Sequence, residues 1–210
     1  MQMILVPALI TLAVTLLRLV GELQHWSPAL FNREAGGGGA LVGIGWLVPI
    51  FGIYFALKHA GRGERPASVG KALGLAFLAF LFTPGAGFVA FAMKLSAVGG
   101  LGIFAVTSWI SIVVAFRAWP ALGRTLLAYA FAARIPVVLV MLPAILGNWG
   151  THYDAPPPDS PEVLAMAPLV KWFWIGLVPQ LTIWIYVTVV GGILVGSLAV
   201  AVSKRRPAGA

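Results

Sequence analysis

The chain has 210 residues, of which 60% are hydrophobic and only 10% carry a charge. Soluble domains carry about a quarter charged residues, so this composition excludes an ordinary soluble protein and indicates one that spans a membrane several times. Lys and Arg outnumber Asp and Glu by 14 to 6, and no cysteine is present, which excludes disulfides, thiol catalysis and iron–sulfur clusters.

Six segments are apolar enough to be membrane spans and come close to the roughly 20 residues that a helix needs to cross the hydrocarbon core. They are residues 3–20, 40–57, 69–93, 101–116, 125–146 and 173–202. These runs are continuous, unlike the alternating ~10-residue strands of membrane barrels. We therefore predict an all-α bundle of about six transmembrane helices that forms one polytopic domain over residues 1–210, with long outer loops at 21–39 and 147–172.

The first apolar segment, residues 3–20, has to be distinguished from a signal peptide. It has no positively charged start, and no small-residue cleavage site follows it. Arg18 and Glu22 are expected to end the segment instead. We therefore expect a helix that is retained in the protein.

The sequence TPGAG at residues 83–87 interrupts the third apolar run. It predicts either a kink within one helix that ends at Lys94 or an outer turn between a short span and a long tilted one. Proline is tolerated in a membrane helix where a neighbour satisfies the carbonyl that it frees. Both alternatives keep the same number of crossings, so the predicted topology does not depend on the choice.

The two long outer loops resemble each other. Each contains a Ser-Pro pair, at residues 27–28 and 160–161, and each leads into a span with Ile-Gly followed by Leu-Val-Pro, at residues 44–49 and 175–179. Each also follows an arginine-bearing span and a tryptophan, which are Arg18 and Trp26 in one case and Arg134 and Trp149 in the other. This pattern favours a duplicated helix–loop–helix hairpin at each end of the chain, with chance similarity as the alternative. Duplication predicts that Trp26 and Trp149 lie at one membrane face.

Arg134 is the sharpest single feature of the sequence. It lies about ten residues, or roughly 15 Å, into the fifth predicted span, where an arginine costs at least ~2.5 kcal/mol on insertion scales. Ionisable residues inside membranes usually mark functional sites, so one interpretation is a site or gate for an anionic ligand. The other is an internal tether to loop carbonyls, Tyr129 or Gln180.

Residues 148–154 are the densest stretch of polar groups and follow the fifth span on its outer side. If the two hairpins pair, Glu22 and His25 approach His152 and Asp154. Imidazoles with carboxylates suit a metal ion, for which His25, His152 and Asp154 are the candidates. They equally suit acid–base chemistry by His152 and Asp154 on a lipid headgroup, and a hydrogen-bonded loop is the simpler alternative. The full predicted ligand-binding set is Arg134, Trp149, His152, Tyr153, Asp154, Arg18, Glu22, His25 and Trp26.

Glycine patterns indicate packing rather than a cofactor. Gly192 and Gly196 form a small-xxx-small pattern that allows close helix contact, either within the bundle or with other membrane subunits or a second copy. The Gly36–Gly39 run lacks the phosphate-loop pattern and is expected to be a flexible link. No lysine lies mid-span outside the region of Lys94, which argues against a retinal Schiff base. No two histidines face each other at matching depth, which argues against a bis-histidine haem. No cofactor is therefore predicted.

The charges divide between the two sides of the predicted spans. Nine basic residues fall on one side, which are Lys58, Arg62, Arg65, Lys71, Arg117, Arg124, Lys204, Arg205 and Arg206. Five of the six acids fall on the other, which are Glu22, Glu34, Asp154, Asp159 and Glu162. The positive-inside rule then predicts both termini in the cytoplasm. The high Gly, Ala and Arg content indicates a bacterial origin, which places the protein in the inner membrane. The positive-inside rule also explains the net charge of +8 without a nucleic-acid partner.

Three functions fit these features. The leading one is a transporter- or channel-like bundle that binds a small anionic or lipidic ligand from the extracytoplasmic side, with Arg134 attracting the anion. The first alternative is a non-catalytic structural subunit of a larger membrane complex. The second is a membrane enzyme with an extracytoplasmic site at His152 and Asp154. The lipid bilayer is the one partner that all three require.

Overall fold

The computed structural model describes residues 2–37, 39–158 and 160–203, and in this part of the chain it is all-helical without strands. Five long helices come first: α1 (Gln2–Leu23), α2 (Leu47–Gly61), α3 (Val69–Ala92), α4 (Ala97–Ala118) and α5 (Pro120–Gly147). The short helix α6 (Pro161–Leu164) follows. The last segment, Pro168–Val202, comprises α7 (Pro168–Lys171), a π-helical stretch (Trp172–Leu177), α8 (Val178–Leu181) and α9 (Ile183–Val202). Six of these segments are long and apolar enough to cross a membrane, which confirms the predicted number.

Some predicted positions lie outside the described residues. They are Gly38, Asp159 and the basic tail Lys204, Arg205 and Arg206.

The end of α1 corrects the sequence prediction. Arg18 and Glu22 lie inside the helix, which continues to Leu23, rather than ending it. The two side chains are one helical turn apart, and Nε of Arg18 donates to Oε1 of Glu22 at 2.7 Å. An i, i+4 ion pair stabilises a helix, so these charges end the apolar run without ending the helix.

The TPGAG sequence lies within one continuous helix, α3, and the outer turn comes later, at residues 93–96. Pro84 has no N–H and therefore leaves the carbonyl of Phe80 without its helical partner. The Tyr186 hydroxyl on α9 donates to that carbonyl at 2.6 Å. The neighbouring helix thus satisfies the freed group, which decides between the two alternatives in favour of a single span.

α9 lies at the centre of the bundle and contacts α2, α3, α4 and α5. The core between these helices consists of large apolar side chains, and its most buried members are Phe55, Trp119, Leu122, Leu126, Ile185, Val189, Val190 and Ile193. α1 stands at the edge and packs mainly on α5. This arrangement leaves the space between α1, α5 and the last segment to be filled by loops.

Gly192 and Gly196 pack inside the chain's own bundle. A Cβ atom on Gly196 would lie 2.7 Å from Cβ of Ala56, and one on Gly192 would lie 2.7 Å from a methyl group of Leu126. On the facing helix, a Cβ on Gly52 would lie 2.8 Å from the Gly192 Cα and 3.0 Å from its carbonyl oxygen. The small-xxx-small pattern therefore sets the close approach of α9 to α2 and α5.

Replacing Gly52 with Ala is expected to lower the thermal unfolding midpoint of the purified protein, because the new methyl group meets the backbone of α9. Overpacking of this kind costs about 1–3 kcal/mol. Gly191→Ala is the matched control, since its Cβ would meet only a Val48 methyl group at 3.6 Å. Equal midpoints for the two variants would contradict the close α2–α9 crossing.

Candidate ligand-binding cavity

A cavity of about 690 Å³ lies between α1, α5 and the last segment, and residues of the first outer loop roof it. This volume is within the roughly 300–1,000 Å³ of small-molecule sites. Much of the wall is apolar and includes Val14, Val137, Met141, Ile175 and Val187. The cavity therefore has room for a small organic molecule and offers it an apolar lining.

Arg134 is the main charged group of the cavity wall and is only 4% exposed. Its Nη1 donates to Oε1 of Gln180 at 3.4 Å, and its guanidinium carbon lies 4.6 Å from the centre of the Trp184 ring. Nε is buried with no hydrogen-bond partner among the described residues. No described carboxylate lies within 4 Å of the guanidinium. Arg134 is thus held by one long hydrogen bond and by a cation–π contact, and its charge is not neutralised.

Of the three tethers considered for Arg134, one is present among the described residues. Gln180 does contact it, whereas the Tyr129 hydroxyl instead pairs with the Thr11 hydroxyl at 2.7 Å. No loop carbonyl accepts a hydrogen bond from Arg134 among the described residues. Among the described residues, the guanidinium therefore has one hydrogen-bond partner, Gln180, and one aromatic contact, Trp184.

A break in the last segment places Gln180 and Trp184 beside Arg134. The segment changes from a π-helical stretch to α8 and is interrupted at Thr182, whose φ of −126° and ψ of −75° are not helical. Irregular backbone at membrane depth is tolerated where it is buried or lines a cavity, and π-helical turns often occur at functional sites. Gln180 and Trp184 are absent from the predicted ligand-binding set. The signal that marks their position is Pro179 within a long apolar run.

Glu22 joins the first outer loop to the second. It is 1% exposed, and its Oε1 accepts from Nε of Arg18 at 2.7 Å and from Nδ1 of His152 at 2.6 Å. Its Oε2 accepts from the His152 backbone N–H at 2.8 Å. Arg18 in turn donates to the backbone carbonyls of Gly37 and Asn32 at 3.0 and 2.9 Å. One carboxylate therefore fixes the helix end, the roof of the cavity and the later loop.

The loop after α5 presents His152 and Tyr153 to the cavity. Asn148 ends α5 in the left-handed conformation, and both oxygens of Asp154 accept hydrogen bonds from the Gly150 and Thr151 backbone N–H groups at 2.9 and 2.8 Å. This tight turn points the next two side chains at α1. The Tyr153 hydroxyl donates to the carbonyl of Thr15 at 3.1 Å.

The protonation states of His152 and Tyr153 in this loop follow from their burial. Burial lowers the pKa of the His152 imidazole, although the hydrogen bond to Glu22 opposes this shift. Burial also raises the pKa of the Tyr153 phenol, so that group is neutral at pH 7. Because a carboxylate only accepts hydrogen bonds, the neutral His152 ring carries its proton on Nδ1. Its Nε2 atom then has a free lone pair.

The structure brings five of the predicted site residues together: Arg18, Glu22, Arg134, His152 and Tyr153 meet at or directly behind the cavity wall. The other four lie elsewhere. His25 is exposed and pairs with Arg33, Trp26 packs edge-on against Phe31, Trp149 lies against Gly147, and Asp154 caps its own loop.

The three candidate metal ligands are not gathered into one site. His25 is bonded to Arg33, Asp154 holds the turn of its own loop, and His152 is bonded to Glu22. Among the described residues, no group of three His, Asp or Glu side chains could hold a metal ion. The pairing of Glu22 with His152 follows the predicted approach of the two loops, whereas His25 takes no part in it.

No family model, curated protein or solved structure matches this chain. Function is therefore inferred from the cavity and its charges.

Proposed function

We propose that the chain is a six-span membrane protein that binds an organic anion in the cavity from the extracytoplasmic side and transports it. The observation that carries this proposal is the buried Arg134, which lines the cavity and has no carboxylate partner among the described residues. The apolar outward faces of the helices support a location in a bilayer. Phe88 and Phe91 of α3, for example, are 73% and 80% exposed, and soluble monomers rarely expose large apolar patches.

The charges around the cavity favour an anion. Arg18 is neutralised by its ion pair with Glu22, while Arg134 has no such partner among the described residues. A buried, unpaired charge is costly, and an anion in the cavity removes this cost. The planar guanidinium binds carboxylate or phosphate oxygens through two parallel hydrogen bonds. The ligand is therefore expected to carry one of these groups.

The shape of the cavity favours an organic anion over an inorganic one. The volume of about 690 Å³ is far larger than a single carboxylate or phosphate group requires. Apolar side chains of α1, α5 and the last segment form much of the remaining wall. An apolar body of the ligand would be buried there at about 25 cal/mol per Å², while its charged end contacts Arg134.

Transport is supported by the depth of the site and by the broken helix. Arg134 is 14 residues from the start of α5 and 13 from its end, which is mid-span. Secondary transporters bind substrates near the membrane midplane at discontinuous helices, and the break at Thr182 adjoins Arg134 through Gln180 and Trp184.

Isothermal titration of the protein in nanodiscs tests the binding. Octanoate, a carboxylate with an eight-carbon apolar body, is expected to bind, and inorganic phosphate is expected to bind more weakly because it leaves the apolar wall uncovered. The absence of heat with both anions would overturn the proposed function. Octanol provides the matched control, since it has the apolar body without the charge and is expected to compete far more weakly than octanoate.

The duplication of the terminal hairpins is proposed as the origin of the fold. It is supported by the contact between the outer ends of α1 and α5, which the His152–Glu22 hydrogen bonds join. Trp26 follows the first end by three residues and Trp149 follows the second by two. The two tryptophans consequently share one end of the bundle.

The proposed orientation of the chain in the membrane leads to a further prediction. Reporter fusions at Arg65 and at the C-terminus are expected to report the cytoplasm, and a fusion at Pro157 is expected to report the opposite side. The physical reason is the basic residues at the α2–α3 and α4–α5 connections. A C-terminal fusion active only outside the cytoplasm would contradict six spans with this orientation.

A further inference from the structure

We infer that the cavity takes up its anion together with one proton, which the Nε2 atom of His152 accepts. This inference rests on the proposed function, since it names what accompanies the anion bound at Arg134. It would make the protein an anion–proton co-transporter.

The first argument is the geometry of His152. Its Nδ1–H and its backbone N–H both donate to Glu22, at 2.6 and 2.8 Å. The Nδ1 bond to the buried carboxylate sets the ring orientation and the tautomer, and the backbone bond holds the residue against the same carboxylate. The imidazole lines the same cavity as Arg134, and its Nε2 has no hydrogen-bond partner among the described residues. A fixed imidazole with a free lone pair in a ligand cavity is a proton acceptor.

The second argument is the charge that surrounds this imidazole. Arg18 and Glu22 of α1 and Asp154 of the loop act on the ring, and Tyr153 packs against it. Arg134 of α5 lines the same cavity. The Gly37 backbone packs against the ring from the first outer loop and carries no charge. Arg18 and Glu22 oppose each other, Tyr153 is neutral, and the Asp154 carboxylate, held by its own loop, favours a charged ring. Among the described residues of the cavity wall, Arg134 is the arginine without an ion-pair partner.

Anion binding changes which protonation state of the His152 imidazole is favoured. In the empty cavity, burial lowers the pKa of the ring, and the positive charge of Arg134 in the same cavity disfavours a second positive charge at low dielectric. A bound anion neutralises Arg134 and makes a charged imidazole favourable, with Glu22 already placed to stabilise it. The new N–H bond uses the ring lone pair, the proton leaves a buffer acid in solution, and no bond of the ligand breaks or forms.

Titration of octanoate in two buffers with different ionisation enthalpies, at one pH near 7, tests the inference on the unaltered protein. Octanoate is fully ionised there, so any proton taken up goes to the protein. We expect about one proton per octanoate bound. We also expect the Kd to rise by up to about tenfold per pH unit wherever the complex holds this proton and the free protein does not. Octanoate binding with no proton uptake would overturn the inference and leave the proposed function intact.

His152→Gln identifies the acceptor. The Gln amide can still donate to Glu22 but does not titrate, so octanoate is expected to bind with no proton uptake and with a Kd independent of pH. His25→Gln is the matched control, because His25 is exposed and pairs with Arg33; it is expected to keep wild-type uptake. Wild-type uptake in His152→Gln would overturn the assignment. Absence of octanoate and phosphate binding to the unaltered protein would instead overturn the proposed function.

Discussion

Replacing Arg134 with Gln is expected to abolish detectable octanoate binding while leaving the protein as stable as the unaltered chain or more so. Loss of one partner from a buried, hydrogen-bonded charge pair costs about 2–5 kcal/mol, which corresponds to a Kd raised about 30-fold to several thousand-fold. The neutral Gln removes a buried charge that has no carboxylate partner among the described residues. Isothermal titration and thermal unfolding measure the two effects on the same preparation.

The combination of these two readouts separates a ligand site from a structural tether. A tether predicts that Arg134→Gln lowers the unfolding midpoint, because the contacts to Gln180 and Trp184 would be lost without compensation. Arg134→Lys keeps the charge but not the planar fork, and is expected to bind with intermediate affinity. Arg33→Gln is the control for a lost outer-loop charge, since Arg33 lies in an exposed loop. Unchanged octanoate affinity in Arg134→Gln would exclude Arg134 from the site.

Replacing Glu22 with Ala is expected to produce the largest loss of stability of any single acidic substitution in the chain. The change leaves the Arg18 guanidinium without its counter-charge and two His152 N–H groups without their acceptor. Breaking a buried ion pair in this way costs about 3–5 kcal/mol. For a chain of this size, such a loss lowers the unfolding midpoint by about 6–20 °C, which differential scanning calorimetry or fluorimetry of the purified protein measures.

Two further variants serve as comparisons for Glu22→Ala. Glu34→Ala removes an exposed carboxylate whose hydrogen bond among the described residues is with the Asn32 amide, and is expected to change the midpoint by little. Glu22→Gln keeps one acceptor oxygen and adds a donor, so an intermediate loss is expected. An unfolding midpoint for Glu22→Ala within a degree of that for Glu34→Ala would contradict the role of Glu22 in joining the two outer loops.

The sequence was a good guide wherever the determining property is local. Hydropathy is a sum over neighbouring residues, and it predicts the six apolar helices because each span must satisfy its own backbone hydrogen bonds. Arg134 was found for the same reason, as a charge within an apolar run. The helix ends were predicted less accurately. α1 continues through Arg18 and Glu22, because two oppositely charged side chains one turn apart form an ion pair that is compatible with a helix.

Whether each of the other predicted site residues lies at the cavity depends on contacts that no local sequence pattern encodes. His152 and His25 are both histidines of the predicted outer loops, yet it is the His152 ring, 130 residues away in the chain, that bonds to the Glu22 carboxylate. The difference arises from the turn that Asp154 caps, which points His152 towards α1. His25 instead lies in an exposed turn, where it contacts Arg33 of its own loop.

The sequence by itself determined the helical class, the number of apolar helices and the presence of a charge deep within one of them, because these follow from composition over stretches of about 20 residues. Only the tertiary structure decided which groups surround that charge. It brought Gln180 and Trp184 to Arg134 through the break at Thr182. It also paired Arg18 with Glu22, while no described carboxylate pairs with Arg134. Whether a buried charge is a tether or a binding site depends on its partners, and partners distant along the chain are set by packing alone.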